Sequence, residues 1–255
     1  MKSKEKEQKF KRLFFDIETS PNIVYSWNLG YDLNISPDLL IKERAIICIC
    51  YKYEGDSKVY SLTWDKGNDK KMLQEFVKII NSADEVIGHN GDKFDIKHVR
   101  TRCIFHGIPM IPDVQSLDTL KLSRANFKFN SNKLNYIAQF LGLGKKIDTG
   151  GFSLWKEVMD YKSTALTKMV DYCKQDVVLL EKVYQKLNAY TLSKVHVGLH
   201  QGGNSCSCPS CASPRTVSNG VRITASGLKK RRLQCLNCGK YFSISSAEYD
   251  KLNKV

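Results

Sequence analysis

Two carboxylates interrupt an apolar run in Leu13-Phe14-Phe15-Asp16-Ile17-Glu18-Thr19-Ser20. On a strand, Asp16 and Glu18 point to the same face, roughly 6–7 Å apart. Like charges held there at the end of a buried strand repel, and a divalent cation is the usual remedy. The plainer reading is a strand that ends in solvent with a polar turn. Two later stretches carry acids in comparable settings. Glu85-Val86-Ile87-Gly88-His89-Asn90, followed by Gly91-Asp92-Lys93-Phe94-Asp95, reads as a strand, a tight turn and the first turn of a helix. In Asp171-Tyr172-Cys173-Lys174-Gln175-Asp176, Tyr172 and Asp176 are four apart and share a helix face. Taken singly, an Asp in a first helical turn is a dipole partner, and a Tyr/Asp pair is a half-exposed edge.

A second kind of chemistry sits in the tail. Cys208-Pro209-Ser210-Cys211 and Cys235-Leu236-Asn237-Cys238 are two C-x-x-C knuckles, and four thiolates so spaced close a tetrahedral zinc site. A redox pair is the rival, disfavoured by two matched knuckles around strand-like sequence. Cys206, His196 and His200 are near enough to be alternative ligands. A domain of about 40 residues lacks the core to stand alone, so one structural Zn²⁺ would contribute directly to its folding. Asn219-Gly220 between the knuckles signals a hairpin turn. Lys229-Lys230-Arg231-Arg232 is a basic run suited to phosphates, against the alternative of a solvated strand edge. Cys48, Cys50, Cys103 and Cys173 fall at apolar positions and read as core residues.

These residues need elements to hold them. From Arg12 to about Ala189, apolar β-type runs alternate with helix-period segments, which is an α/β pattern. Strands are expected at Leu13–Ile17 and Glu85–Gly88, and a hairpin from Ala45–Tyr53 and Lys58–Trp64. Helices are expected at Lys70–Asn81, Phe94–His106, Asn132–Leu141 and Ser163–Leu187. Asp118 is expected at a helix start or in a structural role. His196–Ser205 is Gly-rich and suits a linker. The expected organisation is therefore domain 12–190, linker 191–205 and a small zinc-bound β domain at 206–246.

The chain has 255 residues, with 40 Lys and Arg against 26 Asp and Glu, a formal charge of +14. That balance favours a polyanionic partner, nucleic acid ahead of an acidic membrane surface. The tail is more basic still: residues 206–255 hold nine Lys or Arg against two acids. The apolar run Ala45–Tyr51 is far short of the roughly 20 residues of a membrane helix. The start, MKSKEKEQKFKR, reads as a solvated basic tail with no signal-peptide core. A cytoplasmic protein is expected, its clustered cysteines binding metal in a reducing compartment.

In order, spacing and expected element, three stretches resemble the exonuclease motifs of the DEDD superfamily of ribonuclease H-like nucleases: Asp16-Ile17-Glu18, Asn90 through Phe94-Asp95, and Tyr172 through Asp176. The residue five before Asp176 is Asp171, not His, which selects the tyrosine subclass. Asp16 through Pro21 and Leu134-Asn135-Tyr136-Ile137-Ala138 are similar to the polymerase-B-type and YprB-like branches. The resemblance implies a mixed sheet flanked by helices and a 3′–5′ exonuclease releasing nucleoside 5′-monophosphates. Asp16, Glu18, Asp95 and Asp176 would hold two Mg²⁺ or Mn²⁺, which supply an activated water and charge stabilisation. Tyr172 would orient the attacking water by hydrogen bonding. Asn90 and Phe94 would position the terminal nucleotide, Phe94 being equally a core candidate. Thr19 would touch the 3′ end or serve the turn. The tail resembles the zinc ribbons of insertion-sequence transposases, implying nucleic-acid contacts by Lys229, Lys230, Arg231 and Arg232. DNA is the leading substrate. RNA trimming and a catalytically silent binding protein are the alternatives, and a polymerase on a separate chain is a candidate partner.

Overall fold

The computed structural model describes residues 10–30, 32–148 and 150–253. Most of the N-terminal basic tail lies outside them. The chain divides into two compact units. One gathers Lys11–Lys121 and Asn130–Lys182; the other includes Leu122–Phe129 and the chain from Val183 onward.

In the first unit, the apolar run around Asp16 forms β1 (Arg12–Thr19). A small ladder of β2 (Ile23–Val24) and β3 (Leu40–Lys42) follows. The expected hairpin is β4 (Ile46–Tyr53) and β5 (Tyr60–Thr63), paired antiparallel. Then come α1 (Lys70–Asn81), β6 (Glu85–Gly88), α2 (Asp95–His106) and β7 (Ser116–Asp118). The helices α3 (Thr119–Asn126), α4 (Leu134–Phe140), α5 (Ser153–Met159) and α6 (Ser163–Asn188) complete the series, α3 from Leu122 and α6 from Val183 belonging to the second unit. The sheet order is β5-β4-β1-β6-β7, so β1 is central. It runs antiparallel to β4 and parallel to β6, and β6 is parallel to β7.

Alternation on β1 divides its residues between two layers. Leu13, Phe15 and Ile17 join the core built by Met72, Leu73, Phe76 and Ile80 of α1 and Ile96, Val99 and Cys103 of α2. Burying each large apolar side chain fully contributes ~1.5–3 kcal/mol. The opposite layer meets α6: the Cys173 thiol lies 3.5 Å from the Asp16 carbonyl, and the Cys50 thiol 3.6 Å from that of Val170. Lys52 and Glu181 add an ion pair between β4 and α6. Buried charges fix the other joints. Asp69, just before α1, accepts from Ile46 N at 3.0 Å and from Arg102 at 2.8 Å, tying α1 to β4 and α2. Arg12 bonds Glu85 at 2.6 Å, tying β1 to β6.

The second unit takes in the end of α6 and the stretch expected to be a linker. That stretch carries α7 (Val197–His200), and Val197 N donates to Pro209 O at 2.9 Å. A three-stranded antiparallel sheet follows, ordered β10-β9-β8, from β8 (Thr216–Ile223), β9 (Lys229–Cys235) and β10 (Tyr241–Ser245); α8 (Ser246–Leu252) follows β10. Asn219-Gly220 is not the hairpin turn expected. These residues lie inside β8, where the register shifts between Ser218 and Val221, and the chain turns at Thr224–Gly227 instead. Gly220 has φ of 84°, a left-handed conformation that a bulge uses as readily as a turn.

Candidate active site and cysteine centre

At the C-terminal end of β1, Asp16 and Glu18 point toward α6, and Asp176 on that helix faces them. Single carboxylate oxygens of Asp16, Glu18 and Asp176 lie within 4.8 Å of one another. Asp95 is set apart from that trio but adjoins it. It opens α2, and its Oδ1 accepts from Ile17 N at 3.1 Å, beyond the stretch where β1 pairs with β6. Two glycines make the approach of α2 tight: a Cβ on Gly88 would come 3.0 Å from Gly91 Cα. Asn90 takes φ of 68° in this turn, and its N–H donates to Asp118 Oδ1 at 2.9 Å. Asp118 also accepts from Leu120 N and Asp92 N, so it clamps the turn and the start of α3, the structural role expected of it.

Burial and mutual repulsion raise the carboxyl pKa values. Asp16 is pushed well up by burial, then by the charges of Asp95, Glu18 and Asp176. Burial and the Asp176 charge carry Glu18 up to about 8, and burial takes Asp95 to about 7. Asp176 rises for the same reason, although Lys146 opposes it. Its Oδ1 is buried with no hydrogen-bond partner among the described residues. An orphaned oxygen within a cage of crowded carboxylates is the environment a hard divalent cation satisfies, so the residues present fit such an ion.

Lys146 joins this group without any mark in the sequence. Its ammonium bonds Asp176 Oδ2 at 2.5 Å and Tyr172 Oη at 3.2 Å. Its loop is pinned by Lys146 N to Asn135 Oδ1 and Ile147 N to Gln175 Oε1. Burial pulls the ammonium pKa down, but the Asp176 charge and hydrogen bonds outweigh it and hold the pKa above its ordinary value. Burial, then the Asp176 charge, raise the Tyr172 phenol to about 12, so it stays protonated at neutral pH. Phe94 is half-buried: it packs against the core and its ring meets His98 edge-on at 4.5 Å. The carbonyl of Thr19 accepts from Trp155 Nε1 at 3.1 Å.

In the second unit, one sulfur from each of Cys208, Cys211, Cys235 and Cys238 lies within 4.8 Å of the others. The Cys208–Cys238 and Cys211–Cys235 sulfurs are 3.6 Å apart. Zn–S bonds of about 2.3 Å make a tetrahedron with edges of roughly 3.8 Å, so the cluster could hold a zinc ion. Cys206, His196 and His200 stand outside this cluster. Cys206 is near Asn253, His196 Nδ1 accepts from Leu199 N to cap α7, and the His200 ring meets Phe10. The four basic residues of β9 do not act as one patch. Lys230 and Arg232 are exposed on one face. Lys229 and Arg231 alternate to the other, where Arg231 lies 3.6 Å from Asp250 and 4.7 Å over the Tyr249 ring.

Comparison with known proteins agrees with this architecture. A DNA polymerase of Archaeoglobus fulgidus is 26% identical over 179 residues, 62% of this chain and 21% of that protein. A DNA polymerase of Thermococcus hydrothermalis is 29% identical over 115 residues, 41% of this chain and 6% of that protein. The chain thus spans about a fifth or less of the length of these relatives. The family model of the RNase_H superfamily matches residues 41–188, more than half of the chain, including Asp95, Lys146, Tyr172 and Asp176. With its mixed sheet flanked by helices, the chain belongs to the RNase_H superfamily and carries a nuclease-type domain.

Proposed function

We propose that this protein is a 3′–5′ exonuclease of the tyrosine DEDD subclass, hydrolysing nucleic acid, DNA foremost, to nucleoside 5′-monophosphates. The observation that carries this reading is the meeting of Asp16, Glu18 and Asp176 from β1 and α6, with Asp95 alongside and one Asp176 oxygen unsatisfied. These four acids would hold two Mg²⁺ or Mn²⁺. Bound there, such ions lower the pKa of the attacking water and neutralise charge at the leaving oxygen.

The chain's own groups do the rest. Tyr172 stays a phenol, so it orients the water by hydrogen bonding and does not act as its base. Lys146 holds the Tyr172 hydroxyl and one Asp176 oxygen, keeping both in register. Asn90, in its left-handed turn, and the exposed part of Phe94 border the position of the terminal nucleotide, with Thr19 at the end of β1. Cys208, Cys211, Cys235 and Cys238 would bind one structural Zn²⁺, making the second unit a zinc ribbon that aids nucleic-acid binding. The DNA polymerases among its relatives favour DNA. No helix among the described residues is long and apolar enough to cross a membrane. A reducing cytoplasm suits the zinc thiolates.

The test uses matched DNA and RNA oligonucleotides labelled at either end, with Mg²⁺ or Mn²⁺ and with or without chelator. A 5′ label yields a ladder of shortening products, a 3′ label is released at once as a mononucleotide, and chelator stops both. Cleavage of a circular single strand would overturn the exonuclease assignment. Faster loss of the RNA would move the substrate to RNA.

A further inference from the structure

The two faces of the β8–β9–β10 sheet differ. One face carries Leu233, Phe242, Ile244 and Arg231, half-buried or buried, and Arg231 there pairs with Asp250 and stacks on Tyr249 of α8. The opposite face has no such cover among the described residues. The register aligns Arg222 with Lys230 across β8 and β9, Ser243 with Arg232, and Tyr241 with Gln234 across β9 and β10. Arg222, Lys230, Arg232, Tyr241 and Ser243 therefore point the same way. They line one groove of about 500 Å³, with Leu192 at its side. The three cations are exposed, and none has an ion-pair partner among the described residues. Tyr241 leaves 52% of its surface open beside them.

We infer that this open face is a binding platform for single-stranded nucleic acid, with Arg222, Lys230 and Arg232 on consecutive phosphates and Tyr241 as a stacking surface for one unpaired base. This deepens the proposed function and rests on it, since it assigns to the zinc-bound unit the capture of the strand to be trimmed. Charge complementarity selects a polyanion. The aromatic ring selects its form: a paired base is stacked within its duplex and offers no face to Tyr241, whereas an unpaired base does.

The test is fluorescence anisotropy with the full-length Asp95→Ala protein, which keeps a 20-nucleotide labelled strand intact during titration. Its zinc content is checked for every variant. Replacing Arg222, Lys230 and Arg232 together by Gln is expected to weaken single-strand binding at least tenfold. It should also flatten the salt dependence by about 2 in log–log slope, at ~0.7 for each phosphate no longer neutralised. Tyr241→Ser should weaken single-strand binding about 5-fold or more, the equivalent of ~1 kcal/mol of stacking, with Tyr241→Phe restoring it. Lys229→Gln, on the other face, should change little. Unchanged affinity in the triple variant would overturn the platform. Equal affinity for a matched duplex, or a Tyr241→Ser protein that binds like its parent, would overturn its single-strand character. Displacement of the strand by an acidic peptide at equal charge would assign the face to a protein partner instead. If the unsubstituted protein binds strands through this face but never shortens them, the exonuclease reading fails and the platform stands.

Discussion

The Lys146 ammonium sits 2.5 Å from Asp176 Oδ2, so a loop lysine occupies one side of the carboxylate cluster and leaves Asp176 Oδ1 orphaned on the other. One oxygen of this acid is thus held by the chain and the second is left for a cation. The same ammonium reaches the Tyr172 hydroxyl, which links the charge balance of the cage to the orientation of the phenol.

Lys146→Met should therefore cost far more in turnover than in substrate affinity. Misplacing Asp176 and the Tyr172 hydroxyl by about 1 Å would lower kcat ~10²-fold, and Lys146→Arg should recover part of it. Steady-state kinetics on a short oligonucleotide separates kcat from KM. A variant that changes only KM would make Lys146 a substrate-binding residue.

Stability without metal should fall as pH rises. The folded pKa values of Asp95 and Glu18, about 7 and about 8, stand above the ordinary carboxylate range. What these groups contribute is thus fully present at acid pH, below their unfolded pKa values, and is lost progressively as pH rises from there to the folded values of about 7 and 8. Thermal melts in chelator should show Tm dropping between about pH 5 and pH 8 and levelling off above, by roughly 2–4 °C for each kcal/mol lost. Saturating Mg²⁺ or Mn²⁺ should remove the drop.

Much of this arrangement is legible in the chain itself. The helix over Lys70–Asn81 follows directly from its apolar period, and the same holds for the long helix carrying Tyr172 and Asp176. Asp16 and Glu18 stand out because charges in an apolar strand need a reason. Lys146 has no such mark: it lies in a Gly-flanked loop without period, and only the packing of that loop against Gln175 and Asn135 brings it to Asp176. Short elements such as β7 and α5 escape for the same lack of periodicity. The run Lys229–Arg232 misleads differently. Read along the chain it is one basic patch, but strand alternation sends its members to opposite faces. Asn219-Gly220 shows that a residue pair suited to left-handed backbone specifies a conformation, which a bulge and a turn can both use.

Tyr172→Phe should lower kcat by about 10²-fold with the fold intact, because the hydroxyl orients and does not abstract a proton. In chelator, the ultraviolet titration of the wild type minus that of the Phe variant should show no phenolate from Tyr172 below about pH 11, its phenol being raised to about 12. Loss of an alkaline limb of the pH–rate profile near pH 8–9 in the Phe variant would make the tyrosine a titrating group.

Zinc analysis should find one ion per chain, and Cys235→Ser with Cys238→Ser should abolish it. Hydrogen exchange in β8–β10 should then rise to that of an unprotected chain, while exchange in β1, β4 and the part of α6 carrying Tyr172 and Asp176 is kept, since the ~40 residues around the four cysteines lack the core to persist without their metal. Cleavage of short strands should survive. If protection in β8–β10 survives too, the four thiols are not a folding centre.

The carboxylate cage is tested most directly by Mn²⁺ binding followed by electron paramagnetic resonance, on the intact protein and on Asp16→Asn and Asp176→Asn. The intact protein should take up two Mn²⁺ with magnetic coupling between them, and each variant should lose at least one ion together with cleavage while still binding a labelled strand. Undiminished Mn²⁺ binding in both variants, or cleavage that persists in either, would contradict a metal cage formed by β1 and α6.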